Sequence, residues 1–262
     1  MFTLPEVPML VETLQRTFLA RLVATPRGRA HLLNQVADAE SNGESTIFDS
    51  ALALVDDPEL RRFIARHAAD EVEHARAFTE RRDAQGVDIG PAPTHLRVVD
   101  RIDRKLGGFF ARGVHTRRDV MDAYLVLQVV EERACTQFPL FSRVFRDVEP
   151  ETAALFDRVQ RDEERHLKYC HAISRRYAPS EAVRRSTLAE MRAVESECFA
   201  ENSRAGLAWV LDRGYADLSP LEALGFRSLL RVGKVVDARR PTPFAARDAR
   251  SSPEDSVLRP TG

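Results

Sequence analysis

Asp70-Glu71-Val72-Glu73-His74 returns 92 positions later as Asp162-Glu163-Glu164-Arg165-His166. Both copies contain Glu-x-x-His. On an α-helix, residues three apart lie about 60° apart around the axis and about 4.5 Å apart along it, so each carboxylate and imidazole project from one face toward one point. In a chain that is 30% charged, a single such pair is easily an exposed i,i+3 contact. The frame around the two copies makes that reading insufficient. Pro58 stands 13 residues before Glu71, and Pro150 stands 13 before Glu163. Further upstream, Glu40-x-x-Gly43-x-x-x-Ile47 matches Glu131-x-x-Ala134-x-x-x-Phe138 in the spacing of glutamate, small residue and large apolar residue. We read an internal duplication of one helix-turn-helix unit, each copy carrying one glutamate and one Glu-x-x-His.

The duplication nominates Glu40, Glu71, His74, Glu131, Glu163 and His166 as metal ligands. Four carboxylates in a protein core repel one another and are unfavourable to desolvate unless cations accompany them. Two divalent ions supply that compensation. Carboxylate plus imidazole suits two iron ions, with manganese as the alternative, and six side chains leave coordination positions for water, dioxygen or a substrate atom.

Composition narrows the partners. With 39 basic against 40 acidic residues and a pI near 6.7, the chain has no global attraction for nucleic acid or an anionic membrane. No run of 18 uncharged apolar residues offers a membrane span, and Met1 to Glu6 lacks a secretory pattern, so a cytoplasmic location is expected. Cys135, Cys170 and Cys198 form no Cys-x-x-Cys pair, so neither a zinc ribbon nor a rubredoxin-type iron site is encoded. Each is read as a small core residue.

Apolar residues recur every three or four positions almost throughout, which predicts an all-α chain. The expected order is an N-terminal helix over about 6–24 within 1–27, a four-helix unit over 28–177, a helical extension over 178–237 and a disordered tail over 238–262. Within the unit, helices are expected over 28–55 with Glu40, 58–84 with Glu71 and His74, 118–146 with Glu131, and 150–177 with Glu163 and His166. Asp57 is the expected N-cap ahead of Pro58, and Pro139 should kink the third of these helices. The Gly90-Pro91-Ala92-Pro93 stretch opens a long crossover to about 117, with one short helix over 97–110. The extension should hold a helix over 181–203 and shorter ones over 204–213 and 219–236, which would cover the bundle, form a homodimer surface or gate a channel.

Over residues 28–177 the chain resembles the ferritin-like di-iron carboxylate superfamily, whose members share a four-helix bundle with a long crossover. The resemblance implies that Glu71 and Glu163 bridge both metals, that Glu40 and Glu131 are terminal ligands, and that His74 and His166 each bind one metal. Asp162-Glu163-Glu164-Arg165-His166 is similar to the Asp-Glu-x-Arg-His signature of bacterial multicomponent monooxygenases; ribonucleotide reductase small subunits share only its Asp-Glu-x-x-His frame. That likeness gives Asp162, and by the repeat Asp70, the task of orienting a ligand histidine. Val130 to Phe138 also resembles the corresponding helix of the tRNA hydroxylase branch, which supports Glu131 over Glu132.

Other residues near the motifs are read as structural. Glu44, one turn after Glu40, is expected in an exposed ion pair. His67 lies one turn before Glu71, but its counterpart in the repeat is Val159, so it is expected to support the site rather than bind metal. Tyr169 is expected to pack, and His31, His95, His115 and His171 have no partner in the repeat. The function expected is an oxidase or monooxygenase using dioxygen, an external electron donor and a small-molecule or modified-base substrate. A rubrerythrin-like peroxidase and an iron-storage protein are the alternatives.

Overall fold

The computed structural model describes residues 6–41 and 44–237, and among them every regular element is a helix. They are α1 (Glu6–Val23), α2 (Pro26–Ser41), α3 (Glu44–Leu54), α4 (Pro58–Asp83), α5 (Val98–Lys105), α6 (Phe109–Arg112), α7 (Arg117–Phe145), α8 (Pro150–Tyr177), α9 (Glu181–Arg213) and α10 (Pro220–Asp237), with a 3₁₀ turn at Thr94–Leu96. No helix among the described residues is long and apolar enough to cross a membrane. The expected tail over 238–262 lies outside the described residues.

The helices that carry the motifs start where their sequences dictate. Asp57 accepts hydrogen bonds from the backbone N–H groups of Glu59 and Leu60, and Pro58 fills the first helical position of α4. Thr116 and Asp119 form a reciprocal capping box at the start of α7. Pro150 opens α8. The bounds of α4, α7 and α8 therefore fall within one residue of those expected, and α7 continues through Pro139.

Helix α7 lies along α8, α2 lies along α4, and α4 meets α8. Their apolar residues fall into two clusters. One gathers Leu60 and Ile64 of α4, Val120 to Val129 of α7, and Cys170 to Tyr177 of α8. The other gathers Leu32 to Ala37 of α2, Ala77 and Phe78 of α4, Phe138 to Phe145 of α7, and Ala153 to Val159 of α8. On each of α4, α7 and α8 the motif residues fall between the two apolar stretches. That polar middle layer is thus walled off from water at both ends by buried hydrocarbon.

The helix expected over 28–55 is described in two parts, α2 and α3, on either side of residues 42 and 43, which lie outside the described residues. Two expectations about the helices are corrected. The single crossover helix over 97–110 is two, α5 and α6, separated at Gly107 and Gly108, whose φ angles of 70° and 78° lie in the left-handed region. Conversely, the helices expected over 181–203 and 204–213 are one, because Arg204-Ala205-Gly206 does not break the turn and the chain continues to a left-handed Gly214. Helix α9 packs on α7 and α5, and α10 packs on α9.

Replacing Asp57 by Ala removes the N-cap of the helix that carries Glu71 and His74. It should lower stability by about 1 kcal/mol in chemical denaturation, with the fold retained.

Candidate metal centre

In the middle layer, all six nominated residues converge. Their donor atoms fall into two groups, His67, Glu71, Glu131 and His166, and Glu40, Glu71, His74 and Glu163, each with its members within 4.8 Å of one another. Glu71 belongs to both. Glu163 reaches both from the other side, with Oε2 2.7 Å from His166 Nδ1 and Oε1 3.3 Å from His74 Nδ1. Burial is nearly complete: Glu163 is 1% exposed, Glu131 4% and His166 0%.

The neighbouring Glu132, which the sequence left as a rival to Glu131, turns away from this layer. Its carboxylate is bound by Arg192 at 2.6 and 2.8 Å and by Gln128 at 2.8 Å.

The two aspartates cross between copies. His74 Nε2 lies 3.3 Å from Asp162, and His166 Nε2 lies 3.3 Å from Asp70. Each histidine can therefore donate Nε2–H to the aspartate of the other copy and present Nδ1 to the glutamates. Arg165 ties the aspartates together, donating from Nη2 to Asp70 at 2.8 Å and to Asp162 at 2.6 Å. Burial pushes the Asp70 carboxyl up, but Arg165, Arg66 and His166 outweigh it and hold it down at about 2. In the first copy Glu73 stands where Arg165 would be and pairs outward with Arg76.

His67 is the residue the repeat did not place among the candidate donors. It is fully buried, with Nε2 2.8 Å from Glu131 and 3.2 Å from Glu71, so it lies in one of the two groups that could hold a metal ion. Its ring is stacked on that of His166 at 3.9 Å between centroids and packs on Phe48 at 4.8 Å. The signal was present in its position one turn before Glu71, on the same helical face. Pairing it with Val159 hid it, because this part of the centre is not symmetric.

The other residues near the motifs behave as packing groups. Tyr169 stacks on Phe63 at 4.6 Å. Burial pushes the Cys135 thiol up to about 12 and the Cys198 thiol up to about 11, so neither is a thiolate at neutral pH. His31 packs on Tyr215 and His95 on Trp209. The side chain of Glu44 lies outside the described residues.

Four acids and three histidines in one dry layer must share protons. Burial, with the Glu71 charge beside it, raises Glu40 to about 8; burial, with Glu131 beside it, raises Glu163 well above the usual carboxylate range. Glu71 and Glu131 go the other way: burial opposes their ionisation, but hydrogen bonds from His166 and His67 hold both low. His74 is likewise opposed by burial, yet Glu163 and Glu40 lift it to about 11. Glu71 Oε1 and Glu163 Oε1 are still buried without a well-aligned hydrogen bond. Buried carboxyl oxygens left without a well-aligned hydrogen bond are what a metal cation would satisfy, and the buried Glu and His groups could hold one. A cavity of about 220 Å³ reaches this layer on the side of Glu40, Glu71 and Glu131; none of the three histidines lines it.

Two measurements follow. A metal ion needs its ligands deprotonated, so binding must displace the protons held on His74 and Glu40 at neutral pH, and affinity should fall as pH falls. Calorimetric metal titration in two buffers of different ionisation enthalpy should show proton release. Arg165→Leu leaves Asp70 and Asp162 facing each other without their shared cation, and it should weaken metal binding by about 10–100-fold while the helical circular dichroism is unchanged.

Comparison with protein-family models, with curated proteins and with solved structures finds no match to this chain. The chemistry of the centre is therefore read from its own side chains.

Proposed function

We propose that the chain is a ferritin-like di-iron oxidoreductase that activates dioxygen, acting as an oxidase or monooxygenase. The observation that carries this reading is the meeting of two features in one layer: a buried surplus of carboxylates shared between two donor groups, and an apolar cavity that touches only their carboxylate side. Carboxylate and imidazole donors favour iron or manganese over a soft-ligand metal. A pair of iron(II) ions held here would supply the two electrons that reduce dioxygen.

The residues of the chain have distinct tasks in that reading. Glu71 and Glu163 span the two donor groups and fit the bridging role. Glu40 completes the group of His74, and Glu131 completes the group of His166, with His67 as a further donor beside it. Asp162 and Asp70 keep a proton on the outer nitrogen of His74 and His166, which fixes the ring orientation and leaves Nδ1 free to bind. Arg165 holds both aspartates in register. The apolar layers above and below exclude water, which strengthens each of these contacts. Turnover in this scheme requires an external electron donor, and the substrate is a small molecule or modified base. The cavity favours organic oxidation over storage, because a storage protein needs a polar route for iron.

The full chain should bind about two irons, one for each donor group, and Glu71→Ala or His166→Ala should lose most of that metal. Unchanged iron content in both variants would remove the centre as assigned. Single-turnover mixing of the iron(II) protein with dioxygen, run beside hydrogen peroxide, separates oxygen use from peroxidase use. Growth of an iron core past two ions per chain would mark a storage protein instead.

A further inference from the structure

The two donor groups of the centre are unequal. One offers two imidazoles and two carboxylates, from His67, Glu71, Glu131 and His166; the other offers one imidazole and three carboxylates, from Glu40, Glu71, His74 and Glu163. His67 makes the difference. It stands one turn before Glu71 on α4 and brings Nε2 to 2.8 Å from Glu131 and 3.2 Å from Glu71. The matching place on α8, one turn before Glu163, is Val159, which is 0% exposed and belongs to an apolar cluster. Hydrocarbon stands there where the first copy has a nitrogen.

We propose that this inequality sorts metals, so that a chain supplied with two kinds holds one of each. The position of His67, Glu71, Glu131 and His166 takes the metal that favours nitrogen, and it fills first. The position of Glu40, Glu71, His74 and Glu163 takes the metal that favours oxygen. The proposal rests on the two-metal reading above and uses nothing about oxygen activation. With iron alone, both positions still fill.

Ligand chemistry gives the direction. Imidazole suits zinc and iron, whereas carboxylate and water suit manganese. The two groups share Glu71, so that carboxylate does not separate them. What separates them is one carboxylate exchanged for one imidazole.

The way His67 is held sets how strong the sorting is. His74 and His166 each have an aspartate 3.3 Å from Nε2, whereas His67 Nδ1 is buried without a hydrogen-bond partner. Packing fixes its ring instead, by stacking on His166 at 3.9 Å between centroids and by contact with Phe48 at 4.8 Å. Nε2 can bind a metal only with the ring's one proton on Nδ1, and no carboxylate there raises its basicity. His67 is therefore a weaker donor than the two oriented rings. It shifts preference between the positions without being needed for either to fill.

The test uses the full chain, freed of metal and then given one equivalent of zinc(II) with excess manganese(II). Metal content after gel filtration should be one zinc and one manganese per chain. The manganese should give the electron paramagnetic resonance of an isolated ion bearing a single imidazole nitrogen, since zinc occupies the position with two. In His67→Gln, zinc should spread over both positions, its preference falling at least about tenfold, and the spectrum of exchange-coupled manganese pairs should appear. His67→Leu repeats that test should the first variant not fold. Coupled manganese pairs in the unaltered chain, two imidazole nitrogens on its manganese, or sorting that survives both variants would overturn the proposal and leave the dinuclear centre standing. A chain that takes up neither metal overturns the two-metal reading and the sorting with it.

Discussion

Four glutamates pressed together between two layers of buried hydrocarbon repel one another, and the rest of the middle of this protein is arranged around that repulsion. The apolar clusters exclude water, which would otherwise screen the charges. The four acids are pushed apart by their surroundings: hydrogen bonds from His166 and His67 hold Glu71 and Glu131 low, while burial and a neighbouring carboxylate push Glu40 and Glu163 up. Such an arrangement is unfavourable for folding in itself, since hydrocarbon of similar volume would pack there without any charge to neutralise. Its retention is what directs attention to binding and chemistry.

The surroundings of the layer divide into two kinds of support. On the histidine side, Asp70, Asp162 and Arg165 make a small ionic lattice that fixes ring orientation. On the carboxylate side, α5 and α9 supply aliphatic and aromatic walls. One side governs how donors are held, and the other governs what can approach them. The cavity meets only carboxylates, so a molecule in it approaches the centre from the face opposite the imidazoles.

What the sequence made legible follows from how local each signal is. The starts of α4 and α8 are set by a proline at the first helical position, and α4 is further capped by Asp57, so their bounds and the placement of Glu71, His74, Glu163 and His166 could be read directly. Glu131 needed the internal match, because only packing turns Glu132 toward Arg192. His67 was not nominated as a donor because repeat logic assumes equal halves, and here a histidine faces the centre where the other half has Val159. The crossing of Asp70 to His166 and of Asp162 to His74 is a relation between helices 92 residues apart, and no spacing along one helix encodes it. The continuity of α9, and the pocket it helps to close, likewise depend on tertiary contact.

The crossed aspartates bear on how such a molecule could have arisen. Each copy of the duplicated unit orients the other copy's histidine, and Glu71 and Glu163 each serve donors from both. A single unit therefore contains no complete binding position of its own; two units must meet before either works. Two identical units could have met as separate chains, each lending its aspartate to its neighbour. Within one chain the two units need not be identical, and they are not: Arg165 stands at the repeat position of Glu73, and His67 at that of Val159.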